Sequence, residues 1–222
     1  MAKIELKNLS KTYNKKIEAL HDINFTIEDG QFFVLLGPSG AGKTTLLQIL
    51  GTIDKFDKND KSSLKLCGKD IFKLNDNSLA DFRNNEIGFI FQFHQLLPEF
   101  TLIENICLPA YIKKIKKSIA EEKAMELINY LNLEKIIHNK PNELSGGEKQ
   151  RAAVARALIN KPSIILADEP SGNLDSKSAE NLYKLFFKLR KDFNYTFLIA
   201  THNTHYAKKS DRIFEIIDGK IN

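Results

Sequence analysis

The nine residues 37–45 constrain the fold of this chain more than any other stretch. They read Gly-Pro-Ser-Gly-Ala-Gly-Lys-Thr-Thr, after the apolar run 32–36 and before the apolar, helix-permissive run 46–50. A buried strand, a glycine-rich turn and the start of a helix, in that order, are the context of a phosphate-binding loop. The glycines let backbone N–H groups approach an anion closely, and the helix that begins near Lys43 adds the positive end of its dipole. The stretch therefore predicts a nucleotide-phosphate site.

Two side chains of this loop have specific predicted tasks. Lys43 is placed to reach the β- and γ-phosphates of a nucleotide, and the Thr44 hydroxyl is placed to ligate Mg²⁺. The alternative is an ordinary glycine-serine connection from strand to helix, and the full pattern with its flanks argues against it. The predicted nucleotide-binding residues of the loop are Gly37, Pro38, Ser39, Gly40, Ala41, Gly42, Lys43, Thr44 and Thr45.

Composition narrows the class of protein. With 222 residues, 42% of them hydrophobic and 27% charged, the chain fits one large domain or two small ones. No apolar run approaches a membrane span and no signal-peptide segment follows the N-terminus, so we expect the chain to stay in the cytosol. Cys67 and Cys107 lie outside any CxxC pattern, which favours packing roles over a disulfide or zinc site. The net charge of +5 is best explained by a solvated lysine-rich surface with one cluster at 113–117. Attraction to anionic lipid headgroups is the second interpretation, and DNA binding is the third.

The order of the predicted elements indicates an α/β fold. Strands are predicted over 3–9, 31–36, 64–66, 71–72, 87–91, 164–167 and 197–201, with an alternating stretch at 25–27 and a final hairpin of 212–216 with 220–221. Helices are predicted from 43 to about 50, over 78–84, from a capping box at 118–121, from 145 through 158, and over 179–192. Tyr13 is assigned to the loop after the first strand, and 54–63 to a surface loop. These elements predict a mostly parallel sheet that is interrupted by a helical insertion at about 93–157.

Two further motifs carry chemistry. Asp168 and Glu169 end a wholly apolar run, where one carboxylate can hold Mg²⁺ and its neighbour can activate a water molecule. A solvated sheet edge is the alternative. Ser145, Gly146 and Gly147 open a basic amphipathic helix and form a second potential anion site. Two phosphate-binding helix ends in one chain suggest a ligand shared between two copies, arranged as a head-to-tail dimer with two composite sites.

With these motifs in order, the chain resembles the ATP-binding cassette (ABC) ATPases over essentially its whole length. Walker A matches 37–45, the signature matches 144–148, Walker B with the catalytic glutamate matches 164–169, and the D-loop matches 171–175. The adenine-stacking aromatic, the Q-loop glutamine and the switch histidine match Tyr13, Gln92 and His202. The resemblance implies one nucleotide-binding domain with the P-loop NTPase (RecA-like) fold. In it, a mostly parallel sheet core with an antiparallel β part, at about 1–92 and 158–222, carries a helical subdomain at about 93–157.

The resemblance also implies an ATPase that uses ATP and Mg²⁺. The catalytic residues it implies are Glu169, His202, Lys43 and Gln92. Beyond the phosphate loop, the nucleotide contacts it implies are Tyr13, Ser145, Gly146, Gly147 and Asp175, and the metal ligands are Thr44, Gln92 and Asp168. Glu148 and Asn203 replace the usual glutamine and aspartate, without removing a group that must touch phosphate or water.

Within the family, residues 91–105 and 168–175 are similar to those of lipoprotein-releasing ATPases, in a group that includes cell-division and macrolide-exporter ATPases. This implies an ATP-dependent homodimer at the cytoplasmic face of the inner membrane, permease subunits that dock near 93–105, and no nucleic-acid partner. Two alternatives stay open: a cell-division role that signals without moving a substrate, and a macrolide-exporter role. A DNA-associated ABC ATPase would need coiled-coil insertions or a second cassette, and a small-molecule kinase would leave Ser145, Gly146 and Gly147 without a task.

Overall fold

The computed structural model describes residues 2–14, 16–57 and 61–221, and their strands form two sheets. One sheet has four antiparallel strands; the resemblance implied an antiparallel β part, without its strand order. The other contains six strands that are mostly parallel. In chain order the strands are β1 (Ala2–Tyr13), β2 (Ile17–Glu28), β3 (Phe32–Leu36), β4 (Ser63–Leu66), β5 (Lys69–Asp70), β6 (Ile87–Ile90), β7 (Ile164–Asp168), β8 (Thr196–Thr201), β9 (Arg212–Ile217) and β10 (Lys220–Ile221).

The six-stranded sheet has the order β10-β9-β3-β8-β7-β6, and every pair except β9/β10 is parallel. The central strands β3, β7 and β8 are almost wholly buried, which is why they read as continuous apolar runs. Leu36 pairs with Thr201, and Asp168 pairs with Ala200. The carboxyl ends of β3, β7 and β8 therefore lie together at one edge of the sheet, where ligands bind in open α/β folds.

Helices cover this sheet and form two hydrophobic cores with it. One core joins the helices between residues 102 and 193 to one face of the sheet, and the other joins the helix that follows β3 and the antiparallel sheet to the opposite face. No helix in the described part of the chain combines the length and hydrophobicity needed to cross a bilayer. In chain order the helices are α1 (Lys43–Leu50), α2 (Asp76–Glu86), α3 (Leu102–Ile112), α4 (Lys117–Tyr130), α5 (Gly146–Leu158), α6 (Ser176–Phe193) and α7 (Thr204–Ala207).

Three local predictions are wrong. Tyr13 is the last residue of β1, where it pairs with Ile17, and is not in a loop. Residues 71–72 belong to a 3₁₀ turn, because the Asp70 side chain accepts a hydrogen bond from the Phe72 backbone N–H and caps it. Helix α4 begins at Lys117 without a side-chain cap, so the predicted capping box at 118–121 does not form.

Two other regions differ from the sequence expectation. The loop predicted over 54–63 gives its last residue to β4, and its residues 58–60 lie outside the described residues. Helix α3 has no counterpart among the predicted elements. Its start is set by a capping box in which Thr101 and Glu104 satisfy each other's backbone N–H groups.

Candidate active site

The loop 37–45 leaves β3 and turns directly into α1. Gly42 precedes the helix with a φ of +104°, and a Cβ there would lie only 2.6 Å from the Ala19 carbonyl oxygen. No other residue type fits this position without displacing the strand that carries Ala19. Pro38, Ser39 and Gly40 are exposed, so the loop is open to a ligand from solvent.

Lys43 occupies the centre of this loop. Its buried ammonium donates hydrogen bonds to the carbonyl oxygens of Gly37, at 2.7 Å, and Pro38, at 2.9 Å. The ammonium also lies 3.5 Å from Glu169 Oε1. These three partners use the full donor capacity of an ammonium, so the lysine holds the loop in shape and must exchange partners to bind a phosphate.

Thr44 and Asp168 bring together two of the predicted metal ligands. The Thr44 hydroxyl donates a hydrogen bond to Asp168 Oδ1 at 3.1 Å. Burial raises the pKa of Asp168, and the neighbouring Glu169 charge raises it further, against the opposing effects of Thr44 and Lys43. Thr44 and Asp168 thus offer two adjacent oxygen ligands of the kind that Mg²⁺ prefers. A bound Mg²⁺ would also stabilise the negative charge of Asp168, which burial disfavours.

Glu169 lies between Lys43 and His202. Its backbone has a φ of +42°, the left-handed region, and its N–H donates to the Ala200 carbonyl at 2.9 Å. Its Oε2 lies 3.0 Å from Nδ1 of the exposed His202. A non-glycine residue held in this backbone region is typical of functional sites, where packing maintains a costly conformation.

Tyr13 is held by two residues that the sequence prediction missed. Its hydroxyl donates to Asp54 Oδ2 at 2.6 Å, and the Lys11 ammonium lies 2.9 Å from Asp54 Oδ1 and 4.6 Å from the centre of the Tyr13 ring. Burial and the contact with Asp54 raise the pKa of Tyr13. Burial also opposes ionisation of Asp54, but the hydrogen bonds from Tyr13 and Lys11 outweigh it and lower that pKa. The spacing of Lys11 and Tyr13 on one strand hints at their proximity, whereas no local pattern indicates Asp54.

Gln92 was predicted as a metal ligand, and the structure places it beside the segment 171–175. Its carbonyl accepts a hydrogen bond from Asn173 Nδ2 at 3.0 Å, and a Cβ at Gly172 would lie 3.0 Å from its Nε2. Within the residues that the structure describes, its side chain makes no hydrogen bond to Thr44 or Asp168.

Ser145 and Asp175 act as caps of their own helices. The Ser145 hydroxyl donates to Glu148 Oε2 at 2.6 Å, and this hydrogen bond is the main cause that lowers the pKa of Glu148. Asp175 accepts from the Ser178 N–H and hydroxyl, at 3.0 and 2.6 Å. The beginnings of α5 and α6 lie side by side, since a Cβ at Gly147 would lie 3.9 Å from Ser178 Oγ. In the described part of the chain, neither cap hydrogen-bonds to residues 37–45.

A separate groove of about 480 Å³ lies where α2, β6, α3 and α5 meet. We call it the docking groove. It borders the segment 93–105, and of that segment Gln95 lines it directly. Arg156 of α5 donates a hydrogen bond to the His94 carbonyl at 2.6 Å and another to the Gln95 carbonyl, and so fixes the rim. Six of its lining residues are Ile53, Phe89, Phe91, Gln95, Pro109 and Ile112.

Known proteins resemble this chain in sequence and in fold. The chain is 48% identical over 218 residues to the lipoprotein-releasing system ATP-binding protein LolD of Bacteroides fragilis, covering 98% of this chain and 99% of that protein. It is 50% identical over 216 residues to LolD of Porphyromonas gingivalis, covering 97% of each. Among solved structures, the dimeric ABC transporter cassette MJ0796 matches with a TM-score of 0.89 and 38% identity, over 99% of this chain and 96% of that one.

A second structure of the MJ0796 cassette dimer, in a post-hydrolysis state bound to ADP and Pi, matches with a TM-score of 0.89 and 37% identity, over 99% of this chain and 96% of that one. These likenesses extend over nearly the whole chain, and they confirm the P-loop NTPase fold and the ATPase activity expected from the motifs. The family model for the ABC transporter matches residues 20–172, from within β2 to just past Glu169. This chain belongs to the ABC transporter family, as one of its nucleotide-binding ATPase subunits.

Proposed function

We propose that this chain is the ATP-hydrolysing subunit of a transporter that releases lipoproteins from the inner membrane. The observation that carries the ATPase role is the cluster at the ends of β3, β7 and β8. There the Glu169 carboxylate lies 3.5 Å from the Lys43 ammonium and 3.0 Å from Nδ1 of His202. The lipoprotein cargo is supported by the relatives named LolD, which are 40–50% identical to this chain over nearly its whole length.

The proposed chemistry uses the side chains as the cluster arranges them. Lys43 exchanges its loop carbonyls for the β- and γ-phosphates and stabilises charge on the transferred phosphoryl group. Glu169 accepts the proton of the attacking water, and His202 holds the Glu169 carboxylate and the γ-phosphate in position. Thr44, Asp168 and Gln92 would hold Mg²⁺, and the bound ion would supply neutralisation of phosphate charge.

We further propose that each nucleotide is shared by two copies of the chain. Among the residues that the structure describes, the caps Ser145 and Asp175 have only local hydrogen-bond partners. A second copy arranged head to tail would present its Ser145, Gly146 and Gly147 to the nucleotide bound at residues 37–45 of the first copy, whose Tyr13 would stack on the adenine. The solved dimers of MJ0796 support such a pairing.

The proposed membrane partner docks beside residues 93–105, in the docking groove. Phe93 and Leu97 are exposed at 68% and 42%, and together with the groove they offer an apolar surface that a partner helix can cover. In this proposal the helical subdomain at about 93–157 moves against the core at about 1–92 and 158–222, and the chain works at the cytoplasmic face of the membrane without a nucleic-acid partner.

The test is capture of the membrane subunits with the ATP-trapped Glu169→Gln variant, followed by lipoprotein release from proteoliposomes by the wild-type complex. Lys43→Ala is the matched control, because it should lose ATP-dependent thermal stabilisation and release together. ATP-dependent release by the wild-type complex alone supports the proposal. A captured partner that supports ATP hydrolysis without releasing lipoprotein would refute the cargo and favour the cell-division alternative.

A further inference from the structure

The turn between α3 and α4 presents four exposed lysines within five residues. They are Lys113, Lys114, Lys116 and Lys117, and no acidic residue lies between 112 and 120. Lys117 pairs with Glu121 at 3.7 Å, whereas the other three make no ion pair with any residue in the ranges 2–14, 16–57 and 61–221. The turn therefore exposes a compact and mostly uncompensated positive charge.

Backbone hydrogen bonds and one core contact hold this turn in a defined conformation. The backbone N–H groups of Lys113, Lys114 and Ile115 donate to the carbonyls of Pro109, Tyr111 and Ala110, at 3.2, 2.9 and 3.0 Å. Ile115 packs against the core formed by the helices. The lysines consequently lie on a folded turn, and they do not form a flexible charged tail.

Two exposed isoleucines flank this turn. Ile112 is 71% exposed and Ile119 is 44% exposed, although both flank a well-packed turn. Ile112 also lines the docking groove, so the lysine turn lies at the rim of that groove. Clustered lysines with exposed apolar side chains are the combination that binds a membrane surface containing anionic lipids.

We propose that the face formed by residues 112–119 contacts anionic lipid headgroups directly, beside the membrane subunit. The orientation of this face rests on the proposed function, because a membrane subunit in the docking groove would bring the groove's rim towards the bilayer. The charge and the exposed isoleucines do not depend on that function. Each lysine at an anionic surface contributes about fivefold to binding.

The test is flotation of the purified full chain with two kinds of vesicle, at low and at high salt. One kind contains phosphatidylcholine alone, and the other contains phosphatidylcholine with roughly 30% of the anionic lipid phosphatidylglycerol. The loop variant replaces Lys113, Lys114, Lys116 and Lys117 with glutamine. The matched control replaces four exposed lysines elsewhere with glutamine, so that both proteins lose the same charge. These four are Lys191, Lys208, Lys209 and Lys220.

We expect salt-sensitive flotation of the wild-type protein with the anionic vesicles only, and at least a tenfold loss in the loop variant, since more than one lysine reaches the surface. The control variant should retain most of the binding. A second variant, Ile112→Ser with Ile119→Ser, should bind less tightly while its binding stays salt-sensitive.

Equal loss in the loop and control variants, equal flotation with uncharged vesicles, or no flotation of the wild-type protein would each overturn the lipid contact. Thermal stabilisation by ATP shows in every case that a variant is folded. Capture of the membrane subunits by the loop variant tests the proposed function separately, so the two ideas can fail independently.

Discussion

Replacement of Glu169 by glutamine should separate nucleotide binding from hydrolysis. In the structure the Glu169 carboxylate lies 3.5 Å from the Lys43 ammonium and 3.0 Å from His202 Nδ1. The substitution preserves the shape of the side chain and removes its charge and its basicity. It therefore removes the proposed general base, and it also frees Lys43 from an ion pair that competes with phosphate.

The magnitude of both effects can be worked from these distances. Two unit charges 3.5 Å apart attract by about 1 kcal/mol in bulk water and by about 5 kcal/mol at an effective dielectric constant of about 20. The lower figure alone predicts that Glu169→Gln binds ATP at least about fivefold more tightly. Loss of general-base catalysis predicts a fall in turnover of about 10²- to 10⁴-fold.

The assay pairs calorimetric titration of ATP with a steady-state phosphate-release measurement on the same protein. Glu134→Gln serves as the control, because Glu134 is exposed on a short 3₁₀ turn away from the cluster. Wild-type turnover in Glu169→Gln would remove Glu169 from the role of general base. Unchanged ATP affinity would show that the Lys43 pair does not restrain phosphate binding.

Three further substitutions test other parts of the site. Because burial raises the pKa of Asp168, its ionised form lowers the stability of the folded chain once the pH is above the ordinary carboxyl range. In differential scanning fluorimetry, Asp168→Asn should therefore raise the Tm of the nucleotide-free protein by about 2–4 °C at pH 8 and should not raise it in acid. The same substitution should abolish stabilisation by Mg²⁺. Asp54→Leu should release the Tyr13 ring and weaken ATP binding about fivefold, but leave the affinity for inorganic tripolyphosphate unchanged, and equal losses would contradict a base-specific role. Glu148→Gln should tighten ATP-dependent dimerisation in the hydrolysis-blocked background, as measured by analytical ultracentrifugation, because the charged carboxylate, which accepts a hydrogen bond from the Ser145 hydroxyl, would no longer compete with phosphate for that hydroxyl.

Much of the nucleotide site could be predicted from residue order alone. The position of Lys43 after a glycine turn, and of Asp168 and Glu169 after an apolar run, depends on local backbone geometry and on burial of the central strands. Parallel strands bring such ends to one edge of the sheet, so the cluster of Lys43, Thr44, Asp168, Glu169 and His202 follows from the α/β pattern.

The sequence prediction was wrong at two places where another contact competes with a weak local preference for a strand or for a helix cap. The Asp70 side chain captured the Phe72 N–H and made a turn where alternation predicted a strand. Packing of the partly buried Ile115 against the helical core coincides with an earlier start of α4, ahead of the serine that was predicted to cap it. In the first place a single side-chain hydrogen bond, and in the second the packing of one apolar side chain, accompanies the loss of a weak local preference.

The residues and motif order by themselves determined the phosphate loop, the acidic strand end and the family of this protein. Only the tertiary structure decided that Asp54 and Lys11 hold Tyr13, that Gln92 lies beside residues 172–173, and that the docking groove is built mainly from segments outside 93–105. The physical reason is sequence distance. A strand, a turn and a helix start are encoded by neighbouring residues, whereas these contacts join residues about 40 or more positions apart, and only the packing of the two sheets and the helices brings such residues together.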